Sequence, residues 1–316
     1  MKIQLCILAV LAFVSFGAIP VLAGQDAYYT CPMHSEIHGH KEGECPICSM
    51  ELVTADSTNH MMIHDGSKNK MSAEKTDNSI ALHVPDIIKL EKGKLVTLKV
   101  QLTKIQNNQP ISINQLNEVH TQRFHALIID QSMTDYHHVH PVQTNKKGEY
   151  SLTFTPKKSD DYRIWADVTP AATGKQEYAR ADLKANQRKS EAVSKKLNNT
   201  AVVDGLTFKI SFDAPLQSGQ VTMGKLRVEK DGKPFNRLEP IMGAYAHIVG
   251  FNEDLKTVAH IHPMGEEPTV KSQRGGPDLE FHIEPAKPGF TKMFAQIRVN
   301  GKDIFAPFGL LVTGKK

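Results

Sequence analysis

The apolar positions of this chain fall into short runs separated by turn residues. Runs rich in β-branched and aromatic side chains occur at Lys94–Leu102, His125–Ile129, Tyr150–Phe154 and Tyr162–Val168. Strands at this spacing over roughly 100 residues are typical of an immunoglobulin-like or cupredoxin-like β-sandwich. The helical candidate, Arg180–Leu197, is interpreted as a final strand that continues into a polar linker.

A long internal duplication accounts for most of the chain. Leu116–Pro141 aligns without a gap with Leu238–Pro263, and Tyr162–Val168 matches Thr291–Ile297 further on. Self-similarity of this kind indicates tandem copies of one structural unit. The sequence therefore predicts a mainly β protein with two tandem sandwiches, the first repeat at 80–186 and the second repeat at 200–316, joined by a linker at 187–199.

Three histidines recur at the same positions of the two repeats. Successive side chains of a strand alternate between faces, so both rings of His138-Val139-His140 lie on one face. A hairpin turn near Ser132-Met133 places His125 opposite His140, with cross-strand Cβ atoms roughly 5 Å apart. The second repeat gives the same arrangement with its turn at Asp254-Leu255. Three imidazoles at this distance suit Cu(II) or Zn(II). The candidate metal ligands of the repeats are His125, His138, His140, His247, His260 and His262.

The same histidines have a second interpretation. His125 shares a face with Leu127 and Ile129, and His247 shares one with Val249 and Phe251. Histidines on such a face can be hydrogen-bonded core residues rather than ligands. The sequence also leaves open whether the two triads form separate sites or meet across one interface.

Other residues lie close to the triads in sequence. His120 and His137 accompany the first triad, and Met242 and Met264 accompany the second, where thioethers would favour Cu(I). His282 belongs to a different predicted strand.

The amino-terminal residues 1–23 have the pattern of a signal peptide. Lys2 supplies the positive start, Ile3–Phe16 the apolar centre, and Val21-x-Ala23 a small-residue cleavage site. An uncleaved anchor is the alternative, which Gly17 and Pro20 oppose. The sequence predicts an exported protein, periplasmic or secreted, with no membrane insertion after cleavage.

Composition narrows the function classes. The net charge is +4, from 38 Lys and Arg against 34 Asp and Glu, and it is scattered along the chain. This argues against a nucleic-acid-binding protein. Of the four cysteines, three remain after the predicted leader. In an exported protein an odd count indicates an intermolecular disulfide or metal ligation.

These three cysteines lie in two short knuckles, Cys31-Pro-Met-His34 and Cys45-Pro-Ile-Cys48. Three thiolates and one imidazole suit tetrahedral coordination. About 25 residues cannot bury enough apolar area to fold unaided, so a metal ion would supply the folding free energy. We predict a metal-stabilised module at 24–54, followed by a Met- and His-containing linker at 55–79.

The module resembles the short heavy-metal-binding module with the pattern YTCPMHPxI…PGxCPxCGMxL, found in copper- and silver-efflux proteins and copper-transporting ATPases. Ser35, Glu42 and Ser49 depart from that pattern. The resemblance implies binding of copper or silver before zinc, with which Met33 and Met50 agree, and a metal efflux or delivery protein as partner. Two alternatives stay open, namely a purely structural zinc ion and a redox pair formed by Cys45 and Cys48.

The repeats resemble a family of exported β-sandwich domains with an H-L-x-V-x-x-E-D-L…H-x-H-P motif. That family closes with a segment similar to Gly301-Lys302…Ala306-Pro307-Phe308. Its domains often accompany the heavy-metal module, so the resemblance implies fold and association rather than an activity.

No Gly-rich phosphate loop, nucleophile elbow or HExxH motif is present in the sequence. We therefore expect no enzyme, and predict an exported metal-binding protein that buffers, delivers or confers resistance to copper or a related metal. The main alternative is an envelope scaffold with a structural zinc module. A copper enzyme is a third interpretation, with Asp130 and Asp135 as its nearest acidic candidates.

Overall fold

A computed structural model describes most of the chain beyond the predicted leader. The described residues are 29–30, 38–39, 43, 53–54, 78–86, 88–185, 191–261, 263–264 and 267–314. They belong to two compact units, residues 1–66 and residues 67–316.

The described part of the smaller unit is a three-stranded antiparallel sheet in the order β2-β1-β3. Its strands are β1 (Tyr29–Thr30), β2 (His38–Gly39) and β3 (Val53–Thr54). The central strand β1 ends directly before the first predicted cysteine knuckle, and β3 follows the second.

The first repeat is a sandwich of two four-stranded antiparallel sheets. The outer sheet has the order β4-β5-β9-β8 and the inner sheet the order β11-β10-β6-β7. The strands are β4 (Ile80–His83), β5 (Val96–Lys104), β6 (His125–Asp130), β7 (Tyr136–Val139), β8 (Val142–Gln143), β9 (Glu149–Phe154), β10 (Tyr162–Val168) and β11 (Glu177–Leu183).

The second repeat has the same arrangement. Its inner sheet has the order β17-β16-β19-β20, and its outer sheet the order β12-β13-β14-β15 with β18 also paired to β14. The strands are β12 (Thr200–Val203), β13 (Leu206–Phe212), β14 (Thr222–Lys230), β15 (Lys233–Pro234), β16 (His247–Asn252), β17 (Val258–Ile261), β18 (Asp278–Ile283), β19 (Gly289–Val299) and β20 (Lys302–Val312).

The outer and inner strands differ in how they are buried. In β5, Val96, Leu98 and Val100 are buried and alternate with exposed polar residues, as expected for a sheet with one face on the core. In β6 and β16 every residue is buried. An antiparallel strand is buried on both faces only where a second layer covers its sheet.

That second layer is the other repeat. An apolar cluster separate from the two sandwich cores joins side chains of both inner sheets, with Leu127 and Trp165 from the first repeat and Val249, Phe251 and Phe294 from the second. Trp165 packs on Phe251 with 5.2 Å between ring centroids. The four sheets thus form a continuous stack with the inner sheets in the middle.

The predicted fold class is confirmed, since the described chain is nearly all sheet with two tandem sandwiches. The interpretation of Arg180–Leu197 is also confirmed, because β11 ends at Leu183 and residues 191–197 have no regular structure. Among the described residues, no helix is long and apolar enough to cross a membrane.

Candidate metal centre

The hairpins place the repeat histidines as the sequence predicts. In the first repeat Leu127 pairs with His138, and in the second Val249 pairs with His260. These registers centre the turns on Ser132-Met133 and on Asp254-Leu255, which confirms the predicted hairpins. The predicted ligand His262 lies outside the described residues.

The face that carries these histidines is neither solvent-exposed nor part of a sandwich core. In β6, Ala126 and Ile128 point into the core of the first sandwich, whereas Leu127 and Ile129 join the cluster between the repeats. His125 is on the same face as Leu127 and Ile129 and is buried. The imidazoles therefore lie at the junction of the two inner sheets, where β6 and β16 begin.

The histidines of the two repeats meet there in one cluster. The rings of His138 and His260 are 5.1 Å apart between centroids, and those of His125 and His260 are 5.4 Å apart. Within the repeats, His125 and His138 are separated by 5.3 Å and His247 and His260 by 5.5 Å. The described histidines of the two repeats thus face each other across one interface.

In the first repeat, His125 and His138 form a series of three polar contacts. His125 Nε2 lies 3.0 Å from Val119 O, His125 Nδ1 lies 3.1 Å from His138 Nε2, and His138 Nδ1 lies 2.8 Å from Gln296 Oε1. Gln296 directs its amide nitrogen to Asp303 at 3.0 Å, which fixes its oxygen towards His138. Both ends of the series are oxygens that only accept.

The number of ring N–H hydrogens shows what kind of contact joins His125 Nδ1 and His138 Nε2. A neutral imidazole carries one N–H, so the His125–His138 pair carries two for three contacts. The terminal oxygens take both hydrogens, which leaves His125 Nδ1 and His138 Nε2 without hydrogen and facing each other. Two bare nitrogens at 3.1 Å repel unless a cation lies between them. A tetrahedral ion with bonds of about 2.0–2.1 Å holds its nitrogen ligands about 3.3 Å apart, close to this distance.

His140 completes a set of three ligands. One nitrogen atom from each of His125, His138 and His140 lies within 4.8 Å of the others. His140 Nε2 is buried and has no hydrogen-bond partner among the described residues. We call these three residues the histidine triad.

Burial keeps these rings neutral. Desolvation is the largest cause that lowers the pKa of His138 well below 6.5, and it lowers the pKa of His125 as well. The pKa of His140 falls to about 4 for the same reason, with the neighbouring His125 and His260 adding to the effect. The triad is therefore in its metal-binding form at neutral pH.

In the second repeat, His247 and His260 form the same series of three polar contacts, but the acceptor at one end is charged. His247 Nε2 lies 3.0 Å from Ile241 O, His247 Nδ1 lies 3.3 Å from His260 Nε2, and His260 Nδ1 lies 2.7 Å from Asp167 Oδ2. Here the terminal acceptor is a carboxylate instead of an amide oxygen.

Asp167 and Gln296 are functional residues that the sequence analysis missed. They occupy the same position of the matching segments Tyr162–Val168 and Thr291–Ile297, and each bonds a histidine of the other repeat. Partners of this kind orient ligand rings and fix their tautomers. The available signal was a polar residue at the same place in the apolar second half of each segment, after Ile164-Trp165-Ala166 and after Met293-Phe294-Ala295.

A cavity of about 290 Å³ borders the triad. His138, His140, Met242, Gln296, Arg298 and Asp303 are among its lining residues. Space beside the imidazoles of His138 and His140 suits a fourth ligand or the entry of an ion.

His137, which is a neighbour of the triad in sequence, turns away from it, because its ring bonds Asp135 at 3.0 Å and packs on Phe154. Met242, which accompanies the second triad in sequence, lines the cavity beside His138 and His140 of the first. His120 lies against the second repeat, 5.8 Å from His247 and 6.4 Å from His260 between ring centroids.

The remaining candidates lie elsewhere. His282 is in β18 of the second repeat's outer sheet. Asp130 accepts the backbone N–H groups of Thr134 and Asp135, so it stabilises the β6–β7 turn. The predicted ligands of the amino-terminal module lie outside the described residues. They are Cys31, Met33, His34, Cys45, Cys48 and Met50.

Fold and site together define a tandem β-sandwich protein with a histidine cluster at the junction of its repeats. Known families match both parts of the chain. The family described as "Domain of unknown function (DUF8832)" matches residues 75–187 and again 201–314. The chain belongs to this family, whose two copies cover more than two thirds of it.

Residues 28–55 match the heavy metal binding domain family. This match supports metal binding by the amino-terminal module, without specifying the metal.

Structural similarity to solved proteins is distant, and no curated protein sequence matches the chain. Escherichia coli alpha-2-macroglobulin activated by porcine elastase is 11% identical over 75% of this chain and 22% of its own, with a TM-score of 0.22. Salmonella alpha-2-macroglobulin reacted with methylamine is 10% identical over 75% of this chain and 15% of its own, with a TM-score of 0.23. The chain thus spans less than a quarter of either protein.

Proposed function

We propose that this chain is an exported, non-enzymatic metal-binding protein that buffers or delivers copper, silver or a related ion in the periplasm. The observation that carries the proposal is the pair of bare imidazole nitrogens in the triad, 3.1 Å apart, with His140 beside them. The match to the heavy metal binding domain at residues 28–55 supports it independently. The signal-peptide pattern supports export.

The triad has the features of a binding site rather than of a merely buried polar group. Burying three imidazoles costs free energy, and an apolar core would be more stable at that place. The rings are held by acceptors on their outer nitrogens, which leaves the inner nitrogens for an ion. The adjoining cavity gives that ion access.

The amino-terminal module would act as a second, softer site on the same chain. Thiolates and thioethers select Cu(I), whereas imidazoles also bind Cu(II) and Zn(II). A chain with both ligand types suits transfer of an ion between its own sites or to a metal efflux or delivery protein.

Removal of the thiolates tests the module. We expect the full chain with Cys31, Cys45 and Cys48 changed to Ser to bind fewer equivalents of Cu(I) and Ag(I) in equilibrium dialysis, because no soft tetrahedral ligand set remains. Zn(II) bound by the imidazoles should be retained. An unchanged Cu(I) and Ag(I) stoichiometry would eliminate the module as a site.

Removal of the triad tests the second part of the proposal. We expect the full chain with His125, His138 and His140 changed to Gln to lose at least one equivalent of bound Zn(II) or Cu(II) relative to the natural chain. Gln is similar in size but is a far weaker ligand than imidazole. Isothermal titration calorimetry measures the stoichiometry.

The matched control is His83→Gln. His83 is an exposed histidine of β4 whose Nε2 bonds Thr103 Oγ1 at 2.8 Å, outside the cluster. The His83→Gln variant should bind the same number of metal equivalents as the natural chain. If the triad variant does so as well, the imidazoles serve only packing, and an envelope scaffold with a structural zinc module becomes the better explanation.

A further inference from the structure

We infer that one end of the second sandwich binds a small organic anion, namely a carboxylate carried on an apolar body. The site is a cavity of about 400 Å³ lined by residues of both sheets of that repeat. This volume lies within the range of pockets for small molecules. The cavity shares no lining residue with the one beside the histidine triad, and binding there requires no metal ion.

Three tight hairpins surround the cavity. Their two-residue turns are Asp204-Gly205, Asp231-Gly232 and Asn300-Gly301, and all six residues have φ between 50° and 74°. Two consecutive left-handed residues are typical of the turn that best fits the natural twist of paired strands. Asp204, Asn300 and Lys230, which directly precedes the second turn, line the cavity. Strand pairing therefore holds the walls in place before a ligand arrives.

The inner wall of the cavity is apolar. Leu206 and Ile304 are almost fully buried and belong to the core of the second sandwich. Phe235 and Val299 are half-buried and pack against the same core. All four line the cavity. An apolar group placed there would add to the core and be removed from water, which is favourable.

The rim of the cavity is basic. Four basic side chains line it against two acidic ones, and the basic ones are Lys230, Arg237, Arg274 and Lys302. Two of these have acidic partners, because Lys302 Nζ lies 2.8 Å from Asp204 and Arg274 lies 3.9 Å from Glu239. Positive charge therefore remains in excess, and it favours an anion over a cation or a neutral molecule.

The excess charge belongs to Lys230 and Arg237. Among the described residues, neither side chain has an ion-pair partner. Both are exposed and lie on the rim of one apolar cavity. A guanidinium matches a carboxylate with two parallel hydrogen bonds, and an ammonium adds a second positive charge.

The first repeat shows that the fold does not need a cation at the position of Arg237. Arg237-Leu238 aligns with Gln115-Leu116. Gln115 uses its side chain locally, since its Oε1 accepts the backbone N–H of Ser112 at 3.0 Å. Arg237 is therefore free to serve a ligand, and Gln is a replacement that the same fold already accommodates.

Titration of the metal-free full chain with hexanoate tests the site. We expect saturable binding by saturation-transfer NMR, with a Kd of about 1 mM or lower. Hexanamide has the same apolar body without the charge, and acetate has the charge without the body. Each should bind at least about tenfold more weakly, because each lacks one of the two interactions.

Arg237→Gln should weaken hexanoate at least about tenfold and leave the binding of hexanamide unchanged. The matched control is Lys233→Gln, which removes an exposed cation of the β14–β15 hairpin that does not line the cavity. It should bind hexanoate like the natural chain.

Four results would overturn the site. They are the absence of saturable hexanoate binding, equal affinities for hexanoate and hexanamide, unchanged hexanoate binding in Arg237→Gln, and equal weakening in Lys233→Gln, which would reflect net charge alone. The metal stoichiometries of the cysteine and triad variants are measured separately, so the proposed metal-binding function stands or falls independently of these results.

Discussion

Replacing Trp165 with Ala is expected to lower the free energy of unfolding of the tandem sandwiches by about 3–5 kcal/mol, the cost typical of removing a buried tryptophan. Trp165 is 1% exposed and lies in the apolar cluster between the inner sheets. Its ring packs on Phe251 of the other repeat. The substitution therefore leaves a cavity between the repeats rather than inside one sandwich.

The same substitution should weaken metal binding by the triad. Gln296, which holds His138, belongs to the second repeat, so the ligand geometry depends on the docking of the two inner sheets. A positional error in a ligand-orienting partner typically costs 10–100-fold in metal affinity. Stability and metal affinity are thus expected to fall together.

Urea unfolding followed by far-UV circular dichroism measures the first effect, because Trp165 is the only tryptophan and cannot serve as its own probe. Leu311→Ala is a suitable control, since Leu311 is a β20 residue that is 55% exposed and its loss should change stability by no more than about 0.5 kcal/mol. A loss of less than about 1 kcal/mol for Trp165→Ala would contradict docking of the repeats through this face.

Metal binding is expected to raise the thermal stability of the natural chain. An ion that binds one site of the folded state, at a free concentration of 100 times its Kd, raises the free energy of unfolding by about 2.7 kcal/mol. For a unit of this size that corresponds to an increase in Tm of about 5–10 °C. Differential scanning calorimetry with and without Zn²⁺ or Ag(I) measures the shift.

The variant with His138, His140, His260 and His262 changed to Gln should lose this shift. Its Tm without metal is the necessary reference, because buried histidines also affect stability of the metal-free chain. A metal-induced increase in Tm that persists in this variant would place the stabilising ion outside the histidine cluster, and a scaffold function would then be favoured.

The local pattern of residue types along the chain was sufficient to predict a large part of the fold. The alternation of apolar and polar residues predicts β5 and its neighbours, and the duplication predicts two copies of one sandwich. The turn positions predict the pairing of Leu127 with His138 and of Val249 with His260. These features depend on interactions between residues close in sequence, which periodicity reports directly.

The local sequence pattern predicted only part of the candidate site. The sequence places His125, His138 and His140 on one face but also allows them to be core residues, because Leu127 and Ile129 share that face. The structure buries that face against the other repeat instead of inside a sandwich. Apolar residues and potential ligands then occupy different parts of the same interface.

The amino-acid sequence by itself determined the strands, the hairpin registers and the common direction of the histidines in each repeat. The tertiary structure alone decided that the two histidine faces meet, that Asp167 and Gln296 bond histidines of the opposite repeat, and that His120 crosses to the second repeat. The physical reason is distance along the chain. His138 and Gln296 are 158 residues apart, and contacts of that kind arise from the packing of whole sheets, which no local pattern of residues encodes.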